Sequence, residues 1–192
     1  IAVADNTSVN LNIQTSLSIR SNGDDAAVEL VAGEAAVLTR SPARPFVVIA
    51  AEGRSIASRA YFNVRHDRSD VCVTCLDGEV RVEHGGKVAT LRQRQQVLYG
   101  GRGLEQVVTI DPVVVKAWQE GMLVFRNESL DRVIDEVNRD RSGKIVWMNR
   151  RLGRRSVEAS FQIDRLDDII ALVRDAYDAK VTRLPGGIVL LS

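Results

Sequence analysis

The chain has 192 residues, 45% of them apolar and 27% charged, with a formal net charge of +1. That length suffices for one large domain or two small ones with a buried core. The near-neutral charge provides no global attraction to nucleic acid or an anionic membrane, and no apolar run approaches the ~20 residues that span a bilayer.

Up to about residue 110 the sequence has a period of two. "VNLNIQTSLSIR" sets Val9, Leu11 and Ile13 on one face and Asn10, Asn12 and Gln14 on the other, the pattern of a half-buried strand. "AAVELVAGEAAVL" predicts two strands joined at Gly33-Glu34, and "RPFVVIAAEGRSIAS" two strands about a Glu-Gly turn. "YFNVRHDRSDVCVTCLDGEVRVEHGGKVATL" reads as a meander with turns at Asp67–Asp70, Asp77-Gly78 and Gly85-Gly86. Asp-Gly and Gly-Gly suit tight turns because they tolerate positive φ. Short, evenly spaced strands of this kind predict an all-β sandwich or roll over residues 1–110.

At "TIDPVVVKAWQEG" the pattern changes. Asp111 can cap a short linker helix over 111–120, with Pro112 at its first position and Gly121 at its end. Leu130, Val133, Ile134 and Val137 then recur at helical spacing, which predicts an amphipathic helix over 129–140 capped by Asn127 or Ser129. Leu166, Ile169, Ile170 and Val173 repeat the spacing in a helix from about Asp164. With strands at "MLVF", "KIVWM", "SVEASFQI", "KVTRL" and "GIVLL", residues 121–192 form a small α+β domain in the order βαββαββ.

The stretch "VCVTCLDGEVRVEH" holds both cysteines and His84, with His66 just upstream. Four donors of zinc-ligand type invite a metal or redox reading, but strand geometry opposes it. Residues three apart in a strand point to opposite faces, with Cα atoms ~10 Å apart. That is too far for a disulfide and wrong for a shared metal. Val71, Val73 and Thr74 also oppose a helix-opening C-x-x-C. The stretch is therefore expected to be a hairpin with Val71, Val73 and Cys75 facing inward, without metal or cofactor, and with both histidines solvated beside turns. No G-x-S-x-G, H-E-x-x-H, P-loop or G-x-G-x-x-G occurs, so no enzyme is expected.

"NRRLGRRS" places Arg150, Arg151, Arg154 and Arg155 in one predicted loop. Without stacking aromatics it does not suit nucleic acid; it reads as a solvated loop or as a surface for an acidic protein. Trp118 and Trp147 read as core or interface anchors. The apolar terminal strand "GIVLL" reads either as a core strand or as a sheet edge able to receive another strand. A glycan-type ligand on the β domain would need exposed aromatics, for which Tyr61 and Tyr99 are the candidates.

In order and spacing these segments resemble the FecR family of sigma-factor regulators. "LVAGEAAVLTRSPARPFVVIA" is similar to the family's L-x-x-GEA segment and RPF-V strand, and "YFNVR" to its F-N-V-R strand. "AWQEGMLVFRNESLDRVIDEVNR" is similar to W-x-x-G-x-L-x-F leading into a helix, and "VEASFQIDRLDDIIALVRDAYDAKVTRLPGGIVLL" resembles the short secretin/TonB N-terminal module. Arg59-Ala60 stands where the family has Gly-Thr, and Arg94 where it has Gly.

The resemblance implies a periplasmic region cut from a longer inner-membrane protein, consistent with a chain that opens on Ile1. Its membrane helix and its cytoplasmic, sigma-factor-binding segment would lie outside this sequence. The implied partner is the N-terminal signalling domain of a TonB-dependent outer-membrane receptor, in regulation of siderophore or haem uptake. Contact is expected on the C-terminal module, at an exposed edge (Val157, Ala159, Phe161, or Ile188, Val189, Leu190), with Arg150, Arg151, Arg154 and Arg155 setting register. A ligand-binding sandwich is the alternative, and a metal-binding hairpin comes third.

Overall fold

The computed structural model describes residues 1–4, 6–22, 25–40, 44–67 and 70–192. The chain divides into two compact units, Ile1–Val115 and Lys116–Ser192.

In the first unit, alternating apolar and polar residues give strands throughout. They are β1 (Ala2–Ala4), β2 (Thr7–Leu11), β3 (Ser16–Asn22), β4 (Asp25–Arg40), β5 (Phe46–Ala50), β6 (Gly53–Ala57), β7 (Arg59–Asp67), β8 (Asp70–His84), β9 (Lys87–Arg92), β10 (Gln95–Gly100), β11 (Gly103–Leu104) and β12 (Val108–Thr109). All belong to one 12-stranded sheet. β4 and β8, with 16 and 15 residues, each serve two sets of neighbours. The first half of β4 pairs with β3 and β5, and the part from Gly33 onward with β2 and β7. The first half of β8 pairs with β7 and β10, and the part from Glu79 onward with β6 and β9. The two long strands thus join two strand groups over one core, which includes Val28, Leu30, Phe46, Phe62, Val73, Val82 and Tyr99.

The changes of neighbour occur at glycines with positive φ, +95° at Gly33 and +79° at Gly78. The sequence suggested a break at Gly33-Glu34 and a turn at Asp77-Gly78; both are instead irregularities inside continuous strands. The register of β7 against β8 slips between Tyr61 and Phe62, and pairing continues to Ala60 opposite Gly78. A side chain at Gly78 would overlap the Arg59 carbonyl oxygen, so the close backbone approach is kept although Arg59-Ala60 replaces Gly-Thr. Arg94 itself adopts φ +68°, the conformation a glycine would supply there. Gly85-Gly86 does form the β8–β9 hairpin turn. Arg68 and Ser69, centre of the expected Asp67–Asp70 turn, and Ser41–Ala43 of the RPF segment lie outside the described residues. "VNLNIQTSLSIR" divides into β2 and β3, leaving Leu11 and Ile13 exposed rather than aligned with buried Val9.

In the second unit α1 (Pro112–Lys116), which begins just before it, runs into a 3-10 turn, Ala117–Glu120, closed by Gly121 at φ +72°. The expected cap is present, with the Val113 amide donating to Asp111 Oδ1 at 3.0 Å. Then come β13 (Met122–Ser129), α2 (Leu130–Asp140), β14 (Ile145–Trp147), α3 (Arg150–Gly153), β15 (Ser156–Gln162), α4 (Asp168–Tyr177), β16 (Val181–Leu184) and β17 (Ile188–Leu191). Ser129 caps α2, accepting from the Arg132 amide at 3.4 Å. Leu130, Val133, Ile134 and Val137 are buried as their spacing requires. α4 begins at Asp168 rather than Asp164 because Ile163–Arg165 forms a separate 3-10 turn. β13 pairs antiparallel with β15; β17 lies between β14, to which it is parallel, and antiparallel β16. The helices and both sheets close on one core, with Leu130, Ile134, Phe161, Ile169, Val173 and Leu191 among its members.

Candidate partner interface

The cysteine stretch is a structural part of the first core. Cys75 is fully buried, and its thiol donates weakly toward the carbonyls of Asp77 and Gly78 at 3.5 and 3.4 Å. Burial, helped by the Asp77 charge, pushes its pKa up to about 11, the opposite of what a reactive thiolate needs. Cys72 faces the other way and is half-buried, and neither cysteine forms a disulfide. The histidines are not solvated as expected. His66 Nδ1 lies 2.9 Å from the Leu30 carbonyl oxygen. His84 stacks on Tyr99 at 4.8 Å, with Nε2 3.2 Å from the Gly100 oxygen. Among the described residues no group of three or more His, Cys, Asp or Glu is placed to hold a metal. Tyr99, considered for a glycan platform, is 1% exposed and donates its hydroxyl to the Ala50 carbonyl at 3.0 Å.

In the second unit the structure separates the candidate residues. Ile188, Val189 and Leu190 are not at an edge: β17 is the central strand, paired on both sides. Sequence could not reveal this, since the parallel β14–β17 pairing joins segments more than 40 residues apart. Among the described residues β15 does have one open side, because β13 is its sole strand partner. Its candidate side chains point inward, however, with Val157 and Phe161 buried and Ala159 half-buried. That edge offers only backbone and the polar residues between them.

"NRRLGRRS" is not a loop; it contains α3, where Asn149 Oδ1 accepts from the Arg151 amide at 3.1 Å. The short helix fits because Gly153 is buried against the Asp131 carboxylate, where a Cβ would overlap it. Arg150, Arg151, Arg154 and Arg155 are all exposed and sit immediately before β15. Arg155 differs from the other three, lying 5.8 Å over the Tyr177 ring while its carbonyl accepts from the Leu130 amide. Trp147 packs on the second core, as an anchor residue would.

Two features escaped the sequence reading. One is a polar knot in the first unit, where Glu34 gathers the side-chain amides of Asn12 and Asn63. The other is a groove beside α4 and β16, lined by Asp167, Ile170, Arg174, Lys180, Val181 and Arg183 among others. "KVTRL" directly after a helix was its only sequence trace. No helix in the described residues is long and apolar enough to cross a membrane.

Residues 1–81 match the family model described as FecR protein. Two crystal structures of a "putative anti-sigma factor" from Parabacteroides distasonis ATCC 8503 are similar over the whole chain, each with a TM-score of 0.83 at 20% identity. In each case the likeness covers 100% of this chain and 92% of the other, and at that identity it is a likeness of fold. No curated protein matches the chain. The matched segment carries the GEA, RPF and FNVR motifs. Through residues 1–81, within its first unit, the chain is therefore similar to the FecR family.

Proposed function

We propose that this chain is the periplasmic signal-relay region of a transmembrane sigma-factor regulator. In this reading the second unit receives the N-terminal signalling domain of a TonB-dependent outer-membrane receptor, and the outcome is control of an extracytoplasmic-function sigma factor serving siderophore or haem uptake. The observation that carries it is the FecR match over residues 1–81. Fold likeness to the Parabacteroides distasonis protein along the whole chain supports extending the reading to the second unit.

The second unit suits a receiving role physically. Its strands are short, two small sheets leave edges open to another chain, and its exposed face carries the α3 arginines. The first unit serves as the stable module that carries it.

Calorimetric titration of the whole chain with the signalling domains of TonB-dependent receptors from the same organism tests this. Saturable 1:1 binding to one of them, with amide exchange slowed in residues 116–192, is the expected result. Absence of binding to all of them by a protein that melts cooperatively would refute the relay.

A further inference from the structure

β16 is an edge strand whose open side faces the groove. Lys180 and Ser192 exchange both backbone hydrogen bonds, at 2.8 and 3.0 Å. In an antiparallel ladder the bonded pairs alternate, so Thr182 with Leu190 comes next. Val181 and Arg183 therefore turn their N–H and C=O groups away from β17, and among the described residues β16 has no second strand neighbour to receive them. Asp178, at φ +56°, precedes this edge and Pro185, without an N–H, follows it, so it matches a segment of about four extended residues.

The groove on that side has a volume of about 600 Å³. Buried Ile170 and half-buried Val181 contribute apolar surface, while Arg174, Lys180 and Arg183 supply positive charge. Asp167, its one acid, is held by Arg141 at 2.6 Å, whereas Arg183 stands farther off at 3.8 Å with its side chain 63% exposed. Arg174 is paired with Asp175, and Lys180 is exposed. Positive charge therefore remains in excess along an edge with unpaired backbone groups. A second copy of the chain adding there would set Lys180 and Arg183 against the same cations, which disfavours self-pairing.

We propose that the groove between α4 and β16 takes an extended acidic segment of a partner protein, which adds as a strand to the free edge of β16. The segment exchanges backbone hydrogen bonds with Val181 and Arg183 and sets carboxylates against Lys180, Arg174 and Arg183. Within the relay reading, on which it rests, the segment belongs to the receptor's signalling domain.

The test uses the whole chain, labelled for amide NMR, with a blocked Glu-Val-Glu-Val-Glu peptide as probe and its Lys-Val-Lys-Val-Lys counterpart as control. The acidic peptide is expected to bind and to slow exchange at the Val181 and Arg183 amides, and the basic one to do neither. Val181→Pro, at a position whose N–H faces outward and tolerates proline, should weaken binding about tenfold. Lys180→Glu combined with Arg183→Glu should reverse the preference between the peptides, so the charge test stands even if the proline variant fails to fold. An acidic peptide that leaves these amides unchanged, or binds the double variant equally well, overturns the proposal. A signalling domain that binds both variants with undiminished affinity removes the groove and leaves the relay. A peptide that binds as expected while every signalling domain fails keeps the groove and removes the relay.

Discussion

Asn63 donates its side-chain amide to Oε1 of Glu34 at 2.8 Å, and Asn12 donates to Oε2 of the same carboxylate at 2.9 Å. Glu34 is only 6% exposed, so the two amides stand in for the water its charge would otherwise need. Glu34 belongs to the GEA segment and Asn63 to FNVR, so two motifs distant in sequence meet in one polar contact between β4 and β7. Asn63→Ala should cost about 1–3 kcal/mol, because it strips a donor from a buried carboxylate. Urea unfolding measures this, and a loss below about 0.5 kcal/mol, the size of an ordinary surface change, would show that water replaces the amide.

The glycine inside β8, set against one in the β8–β9 turn, gives a second prediction. Gly78→Ala meets both a positive φ and the Arg59 carbonyl, whereas Gly85→Ala, also at positive φ, meets nothing within 4 Å. Gly85→Ala should therefore cost about 1 kcal/mol for conformation alone, and Gly78→Ala about 1–3 kcal/mol more. Equal losses in denaturant melts would mean that the strands separate without penalty and that the close approach does not constrain the sheet.

These glycines also show where sequence reading stopped. Positive φ is common to a turn and to a bulge within a strand, so Asp77-Gly78 suggested a hairpin when only cross-strand pairing distinguishes the two. Periodicity located α2 almost to the residue, because Leu130, Val133, Ile134 and Val137 are local information. α3 has too few residues to show a period and was hidden among arginines. Which of the C-terminal strands lies at an edge depends on β14 reaching β17 across two helices, so the candidate edge moved from Ile188–Leu190 to β16. Alternation did place Cys75 correctly on the inner face, and that gives the fold a dependence on pH.

In the unfolded chain the Cys75 thiol ionises above about 8.5, whereas burial in the folded chain holds its proton to about 11. The folded pKa is the higher one. Its stabilising contribution is full below pH ~8.5 and is lost as pH rises toward 11. Tyr99, also raised by burial, acts in the same direction at still higher pH. The denaturation midpoint should fall over this alkaline range, and Cys75→Ala should flatten the first part of the decline. Parallel declines in the two proteins would assign the loss to other groups.

The arginines of α3 should act on the approach of a partner more than on the fold. Arg150, Arg151 and Arg154 are exposed, so reversing all three to glutamate should leave the melting temperature nearly unchanged. Arg155 is a different case, because Arg155→Glu also removes its contact with the Tyr177 ring, at a cost of about 0.5–1 kcal/mol. Exposed charges steer encounter over distances set by salt screening. In the proposed relay, the triple reversal should therefore slow association with the receptor's signalling domain about tenfold at low ionic strength, with little change in dissociation. In about 0.5 M salt the difference should nearly vanish, since the screening length shortens below the span of the encounter. Stopped-flow association across a salt series reads both quantities. An association rate indifferent to the reversal at every salt concentration would take the arginines out of the interface, leaving recognition to the strand edges alone.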